Sequence, residues 1–365
     1  MKEKLVVFRP YNRNENPYIY LVRKCIEDNG YKVITPKMAF LPRNIFKKIY
    51  ATELNWYENV ECDRLYKTYV MIIKRKLLLL YLKHIRKSKI VITVHNKKSH
   101  KASNKDLSVK MLVWLLNRAD AIVILCDITR NYVNDLMEKE KCSRKNSKIF
   151  KIEITSYENV YPHSSEEVFY QYSDNQREGY FELAYFGTIS EYKNVEIIER
   201  LAEKIENKKI WITVVGKCNE EYSSRLNELF AKRKNITYRS EFVPEDKIWG
   251  FIKGADCIVL PYHKETVLNS AAVILALTVG TNVICPECGT TKEFPKGMIY
   301  SYDYNDDNDH LEALYSKVNE AYSDYLYNRS MFDYKITQLK TIVRHDYSYE
   351  KTKQKYKELF EGLEF

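Results

Sequence analysis

A chain of 365 residues exceeds one ordinary core and suits two domains of about 150 to 200 residues each, and its 45% hydrophobic share can fill both. Residues 1–180 hold 34 Lys and Arg against 20 Asp and Glu, a balance of +14, whereas the remainder holds 25 against 29, a balance of −4. The basic half must meet something the other half does not, and phosphates of nucleic acid or an anionic membrane surface would each fit.

The chain opens with "KLVVF" (4–8), an apolar strand too short for a secretory leader, so none is expected. Further strands are predicted at "YKVIT" (31–35), "KIVITV" (89–94), "AIVIL" (121–125) and "IFKIEI" (149–154), with amphipathic segments between them. Such alternation predicts parallel strands joined by helical crossovers. The segment 64–89, "RLYKTYVMIIKRKLLLLYLKHIRKSK", reads as a long helix with basic residues interleaved among apolar and aromatic ones. It fits either a crossover helix with a solvated basic face or a helix lying on an anionic membrane. Its "LLLLYL" core is far too short to span a bilayer.

The pattern lapses into polar, turn-rich sequence over 156–181 and restarts with "ELAYFG" (182–187), "IWITVVG" (210–216), "NITYRS" (235–240), "DCIVLPY" (256–262) and "TNVICP" (281–286). We therefore expect a first domain over 1–165, a linker over 166–181, a second domain over 182–345 and a C-terminal helix over 346–365. Both domains should be doubly wound and Rossmann-like. Neither a G-x-G-x-x-G fingerprint nor a P-loop occurs in the first domain, whose one glycine is Gly30. Eight scattered cysteines, several within strand-like runs, read as reduced buried thiols in a cytoplasmic protein.

Ligands of open α/β sheets sit beyond the carboxyl ends of strands, where glycine lets backbone approach them. In "AYFGTISEYKNV", Gly187 and Thr188 follow a strand and Lys193 precedes a helix, a pattern that favours an anion. An ordinary lysine at a helix start has the same spacing. In "LNSAAVILAL", Asn269 and Ser270 open a helix of small residues whose free N–H groups can receive a phosphate, although plain capping accounts for them too. Together the two sites suit a diphosphate. "CPEC" (285–288) has no second cysteine pair, so zinc is not expected, and "DND" (307–309) is a helix-capping turn.

The strand, Gly187 and Lys193, then "FVPEDKIWGFIKGADCIVLPY" and "NSAAVILALTVGTNVI", in this order, resemble the donor half of GT-B glycosyltransferases of the family 4-like kind. "LNWYENV" (54–60) and "TVHNKKSH" (93–100) resemble stretches of its bacterial polysaccharide-assembly members. The resemblance implies an α/β fold of two Rossmann-like domains facing across a cleft and a C-terminal helix crossing back to the first. It also implies a nucleotide-sugar donor, UDP- or GDP-linked, and a glycan or lipid-linked oligosaccharide acceptor, with no metal and no cofactor. Carried over by residue, Gly187, Thr188, Lys193, Asn269 and Ser270 hold the donor diphosphate, main-chain groups at Phe242 and Val243 meet the base, and Glu293 faces the donor.

His95 becomes a catalytic candidate after its strand, with Asn96 and Trp56 as sugar contacts and Glu58 as a base if the reaction inverts. Each has an ordinary reading as well: a structural histidine, a core indole, an acid closing a strand. His100, five residues beyond His95, is spaced wrongly for a helical zinc pair. One departure is clear: the Glu-x7-Glu of family 4 falls on Val267 and Leu275, neither acidic. The expected activity is hexosyl transfer in cell-surface or exopolysaccharide synthesis, by a cytoplasmic protein able to sit on the inner membrane face through its basic helix. The alternative is an inactive relative that keeps the fold as a binding module. Nucleic acid is not an expected partner, since no recognised binding motif accompanies the basic half.

Overall fold

The computed structural model of the chain describes residues 3–11, 17–60, 62, 64–96, 105–141, 147–174, 179–265 and 267–363. Two compact units emerge, one of residues 1–155 and 347–365, the other of residues 156–346.

In the first unit the chain runs β1 (Lys4–Arg9), α1 (Pro17–Asp28), β2 (Tyr31–Ile34), α2 (Pro42–Ile45), β3 (Ile49–Asn55), α3 (Leu65–Leu80), β4 (Lys89–Val94), α4 (Lys105–Leu116), β5 (Ala121–Ile124), α5 (Asp127–Lys139) and β6 (Lys148–Lys151). The six strands are parallel in the order β2-β1-β3-β4-β5-β6. β-branched residues such as Val6, Ile90, Ile92, Val123 and Ile124 are fully buried, as a sheet covered on both faces requires. Because β2 lies on one side of β1 and β3 on the other, the switch point falls between β1 and β3.

β3 is absent from the strands predicted above, and the reason is its composition. It is a central strand, yet it carries Thr52, Glu53 and Asn55, all buried. Each finds a polar neighbour on an adjacent strand or loop: Thr52 pairs with Ser88 at 2.8 Å, Glu53 with Thr93 at 2.7 Å and Asn55 with His95 at 2.8 Å.

The second unit contains β7 (Phe181–Phe186), α6 (Ile197–Lys204), β8 (Ile210–Val215), α7 (Glu220–Phe230), β9 (Ile236–Arg239), α8 (Ile248–Lys253), β10 (Cys257–Val259), α9 (Ala271–Val279), β11 (Asn282–Pro286), α10 (Gly289–Lys292), β12 (Tyr300–Tyr302), α11 (Asp307–Tyr327) and α12 (Arg329–Asp346). Its parallel strands lie in the order β9-β8-β7-β10-β11-β12. This is the Rossmann order, with the switch point between β7 and β10. α9 is apolar on every side and buried from Val273 to Val279, so it packs as a core helix. Gly280, at φ 101°, ends it, and Lys340 Nζ donates to the Val279 carbonyl at 2.9 Å.

The stretch expected as a linker over 166–181 is folded at its start. A 3-10 turn at Glu166–Gln171 buries Phe169 against Phe251 of α8, with ring centroids 5.4 Å apart. The changeover between units falls earlier, at Thr155 and Ser156. After α12 the chain returns to the first unit as α13 (Tyr349–Glu361). There Asn29 Nδ2 donates to the Lys353 carbonyl at 2.9 Å and Tyr349 donates to Asp28 at 2.8 Å. Tyr356 and Phe360 of α13 are fully buried.

Among the described cysteines none is in a disulfide; Cys25, Cys126, Cys257, Cys285 and Cys288 are buried, whereas Cys62 and Cys218 are half-buried.

Candidate active site

At the switch point of the second unit the chain leaves β7 through Gly187, at φ 105°, and Thr188. A side chain at Gly216, which ends β8, would put its Cβ 2.1 Å from the Gly187 carbonyl oxygen. Both positions therefore present bare backbone, which only glycine permits. A 3-10 turn, Glu191–Lys193, follows and ends at Asn194 in the left-handed region. This turn brings the Lys193 ammonium to 3.8 Å from where a Cβ on Gly187 would sit. Burial pulls its pKa down to about 8, and among the described residues no carboxylate forms an ion pair with it. A desolvated, uncompensated cation beside open backbone at a switch point is built for an anion.

The loop after β10 adds to it. His263 N–H donates to the Tyr192 carbonyl at 3.3 Å, joining the two loops that flank the switch point. The Tyr262 hydroxyl lies 3.3 Å from Ser270 Oγ, which accepts from Val273 N–H and so caps α9. The Ser270 N–H donates to Thr290 Oγ1 at 2.9 Å, tying the start of α9, next to Asn269, to α10. Glu293 is the residue that ends α10. Phe242 and Val243 lie in the loop beyond β9, with Phe242 exposed. Val267 and Leu275 are both buried.

His310 supports this region and is invisible as a motif. It is fully buried, its Nδ1 accepts from Asn194 Nδ2 at 3.2 Å, its Nε2 lies 3.0 Å from the Tyr302 hydroxyl, and its ring stacks on Tyr304 at 3.9 Å. Burial, with the nearby His263, pushes its pKa down to about 4, so it is a neutral ring that fixes the Asn194 turn. The turn at 305–309 caps a helix: Asp306 accepts from the N–H groups of Asn308 and Asp309 at the start of α11.

In the first unit, His95 follows β4 and is buried. Its Nε2 lies 2.8 Å from Asn55 Oδ1, and its ring stacks on Trp56 at 3.9 Å and meets the edge of Tyr18 at 5.3 Å. With the Asn55 carbonyl as acceptor, the proton sits on Nε2. Trp56 holds this position at φ 49°, a left-handed conformation uncommon for an aromatic residue. Asn96 follows His95 and is half-buried. His100 lies outside the described residues.

Glu58 has different neighbours from His95. It is buried beyond Trp56, near Arg75 and Tyr132, and burial raises its pKa to about 7. The sequence reading passed over Glu53, two residues before Asn55 on the same strand face, whose pKa burial also raises to about 7. Glu53 Oε2 and Asn55 Nδ2 are both buried without a partner among the described residues. A glutamate inside the strand run "IYATELN" was the available signal.

On α3, Leu65, Tyr66, Tyr69, Val70, Ile73 and Leu77 are exposed, as are Phe40, Leu41, Ile45 and Phe46 around α2. Arg86 joins the two segments by donating to the carbonyls of Ala39, Asn44 and Lys47. Among the described residues no helix is long and apolar enough to cross a membrane, and no group of three or more His, Cys, Asp or Glu is placed to hold a metal ion.

Two Rossmann-like units of six parallel strands each define the GT-B class of glycosyltransferase fold. Residues 170–316 match the family described as Glycosyl transferases group 1, so the second unit carries a glycosyltransferase domain. A GDP-mannose:glycolipid 4-beta-D-mannosyltransferase of Xanthomonas campestris pv. campestris is 22% identical over 144 residues, which span 38% of this chain and 41% of that relative. Sucrose-phosphate synthase from Thermosynechococcus elongatus is similar in structure over 99% of both chains, with a TM-score of 0.72 and 11% identity. Anabaena HepE in complex with UDP-glucose is similar over 98% of this chain and 99% of its own, with a TM-score of 0.69 and 11% identity.

Proposed function

We propose that the chain is a glycosyltransferase that moves a hexosyl group from a UDP- or GDP-linked donor to a glycan or lipid-linked glycan in cell-surface or exopolysaccharide synthesis. The observation that carries this reading is the desolvated Lys193 ammonium beside Gly187, at the switch point of the domain that matches the glycosyltransferase family. A leaving diphosphate needs its developing charge stabilised. A protonated lysine, the backbone at Gly187 and Thr188, and the start of α9 at Asn269 and Ser270 can supply that. Phe242 and Val243 hold the base in this reading, and Glu293 faces the sugar.

His95, oriented by Asn55 and Trp56, serves as the hydrogen-bonding or basic group of the first unit, with Asn96 and Trp56 as sugar contacts and Glu58 as a further carboxylate. The glycolipid acceptor of the Xanthomonas relative and the exposed apolar, basic face of α3 support a lipid-linked acceptor met at the cytoplasmic membrane surface.

A thermal-shift panel of nucleoside diphosphates and nucleotide sugars tests the donor site, because a ligand of the folded state raises the melting temperature by mass action. A response to none of them would overturn the reading. The apolar Val267 and Leu275 favour a second reading, a binding module without turnover. Transfer or hydrolysis of a nucleotide sugar by the pure protein would exclude it.

A further inference from the structure

The first unit has its own switch point, between β1 and β3, and a cavity of about 420 Å³ opens beside it. Arg9, the last residue of β1, forms one side. The other is a single stripe of α3 at helical spacing, which includes Lys67, Met71, Lys74, Arg75 and Leu78. Four cations thus converge with an apolar wall.

Among the described residues none of the four forms an ion pair. The guanidinium groups of Arg9 and Arg75 both lie 5.1 Å from the Tyr57 ring centroid. Arg75 Nη1 donates to the carbonyls of Tyr57 and Asn59, at 2.5 and 2.7 Å, which locks the side chain in place just beyond β3. Its Nε is buried and without a partner among the described residues. Burial and the adjacent Arg9 charge pull its pKa down to about 10, and burial raises that of the neighbouring Glu58 carboxyl to about 7. Two fixed like charges with an orphaned donor between apolar walls are unfavourable by themselves, and a dianion would relieve them.

The cavity continues into something apolar. From Tyr66, which lines the cavity, an apolar stripe of α3 runs through Tyr69, Ile73 and Leu77, exposed by 49 to 62%, so an anion in the cavity would have an uncovered hydrophobic track leading away from it. We propose that this cavity binds the phosphate or diphosphate head of a lipid whose chain lies along the exposed stripe of α3. Its role as the acceptor's carrier rests on the reading of the first unit as the acceptor side, whereas the site itself rests on the cavity.

Calorimetry on the full chain with farnesyl diphosphate, inorganic diphosphate and phosphatidylglycerol vesicles tests it. Farnesyl diphosphate is expected to bind about tenfold or more tighter than inorganic diphosphate, and the doubly substituted K67E/K74E chain to lose about tenfold or more of that affinity. Both lysines are exposed, so the melting temperature and its response to nucleoside diphosphates should stay unchanged. Equal affinity for the two diphosphates, or full affinity in K67E/K74E, would overturn the site. So would complete displacement of farnesyl diphosphate by the vesicles, which would mean a general membrane surface. Binding of farnesyl diphosphate that depends on the lysines, in a chain that ignores every nucleotide, would leave this site standing while the donor reading fell.

Discussion

The Lys193 ammonium lies 3.8 Å from the point a Cβ on Gly187 would occupy, and burial holds its pKa near 8. A charge kept this close to neutrality binds anions only while protonated. Affinity for a nucleoside diphosphate should therefore fall as pH rises through about 8, and binding near that pH should take up a proton. Calorimetry in two buffers of different ionisation enthalpy reads both. Lys193→Ala should lower kcat/KM by about tenfold or more with the fold intact; near-normal turnover would sink the assignment. Because the unfolded lysine titrates higher, the unfolded state binds more protons between about pH 8 and 10.5, so the wild-type chain should gain stability across that window and the alanine variant should not.

Gly216→Ala is expected to cost on the order of 2 kcal/mol, the range for overpacking, because the new Cβ meets the Gly187 carbonyl at 2.1 Å and Ile189 at 2.8 Å. The strain falls on the backbone at Gly187, where the donor diphosphate is proposed to bind. Nucleotide affinity should drop along with the chemical-denaturation midpoint, and retention of full affinity in a destabilised variant would separate the two strand ends.

For Glu53 the sign is the opposite of a stabilising carboxylate. Its folded pKa, about 7, exceeds the ordinary value of 4.5, so the folded state keeps a proton that the unfolded state gives up. Stability should decline between about pH 4.5 and 7, and the cost, on the order of 3 kcal/mol, is complete above that. Glu53→Gln should raise the melting temperature by several degrees at pH 8 and leave it nearly unchanged at pH 4.5. Equal effects at the two pH values would contradict a protonated Glu53.

His95→Ala should reduce kcat while leaving nucleoside diphosphate affinity within about twofold, since the donor phosphates are assigned to the second unit. Asn55→Ala, which removes the acceptor of the His95 ring proton, should move the pH profile of turnover in addition to lowering it. An unchanged profile would make Asn55 a packing residue only.

Ile73→Ser with Leu77→Ser removes two side chains exposed by 56 and 62%, so folding should be little affected. Flotation with anionic vesicles should fall several-fold in the double variant, and wild-type binding should weaken with added salt. Undiminished flotation would remove α3 from the membrane contact.

Most strands were legible because buried parallel strands are runs of β-branched residues, and the runs beginning at Leu5, Ile90, Ala121 and Ile210 end within a residue or two of the observed strands. β3 escaped because Thr52, Glu53 and Asn55 break its apolar run, and their partners Ser88, Thr93 and His95 lie far along the chain. The same holds at the sites. Gly187, Lys193 and Ser270 could be read locally, since each sits at a strand or helix end. His310 could not, because its contacts with Asn194, Tyr302 and Tyr304 exist only after three elements have packed. The cavity of the first unit was equally hidden: Arg9 and Arg75 stand 66 positions apart in the sequence, and only the return of β3 beside β1 brings them to one ring.

The return of α13 to the first unit fixes an order of completion. Residues 156–346 are continuous in the chain, but the unit that begins first stays open along α1 during synthesis until α13 emerges to cover Asp28, Asn29 and Tyr50. A nascent chain stopped at residue 346 would hold the whole second unit and a first unit with one face bare.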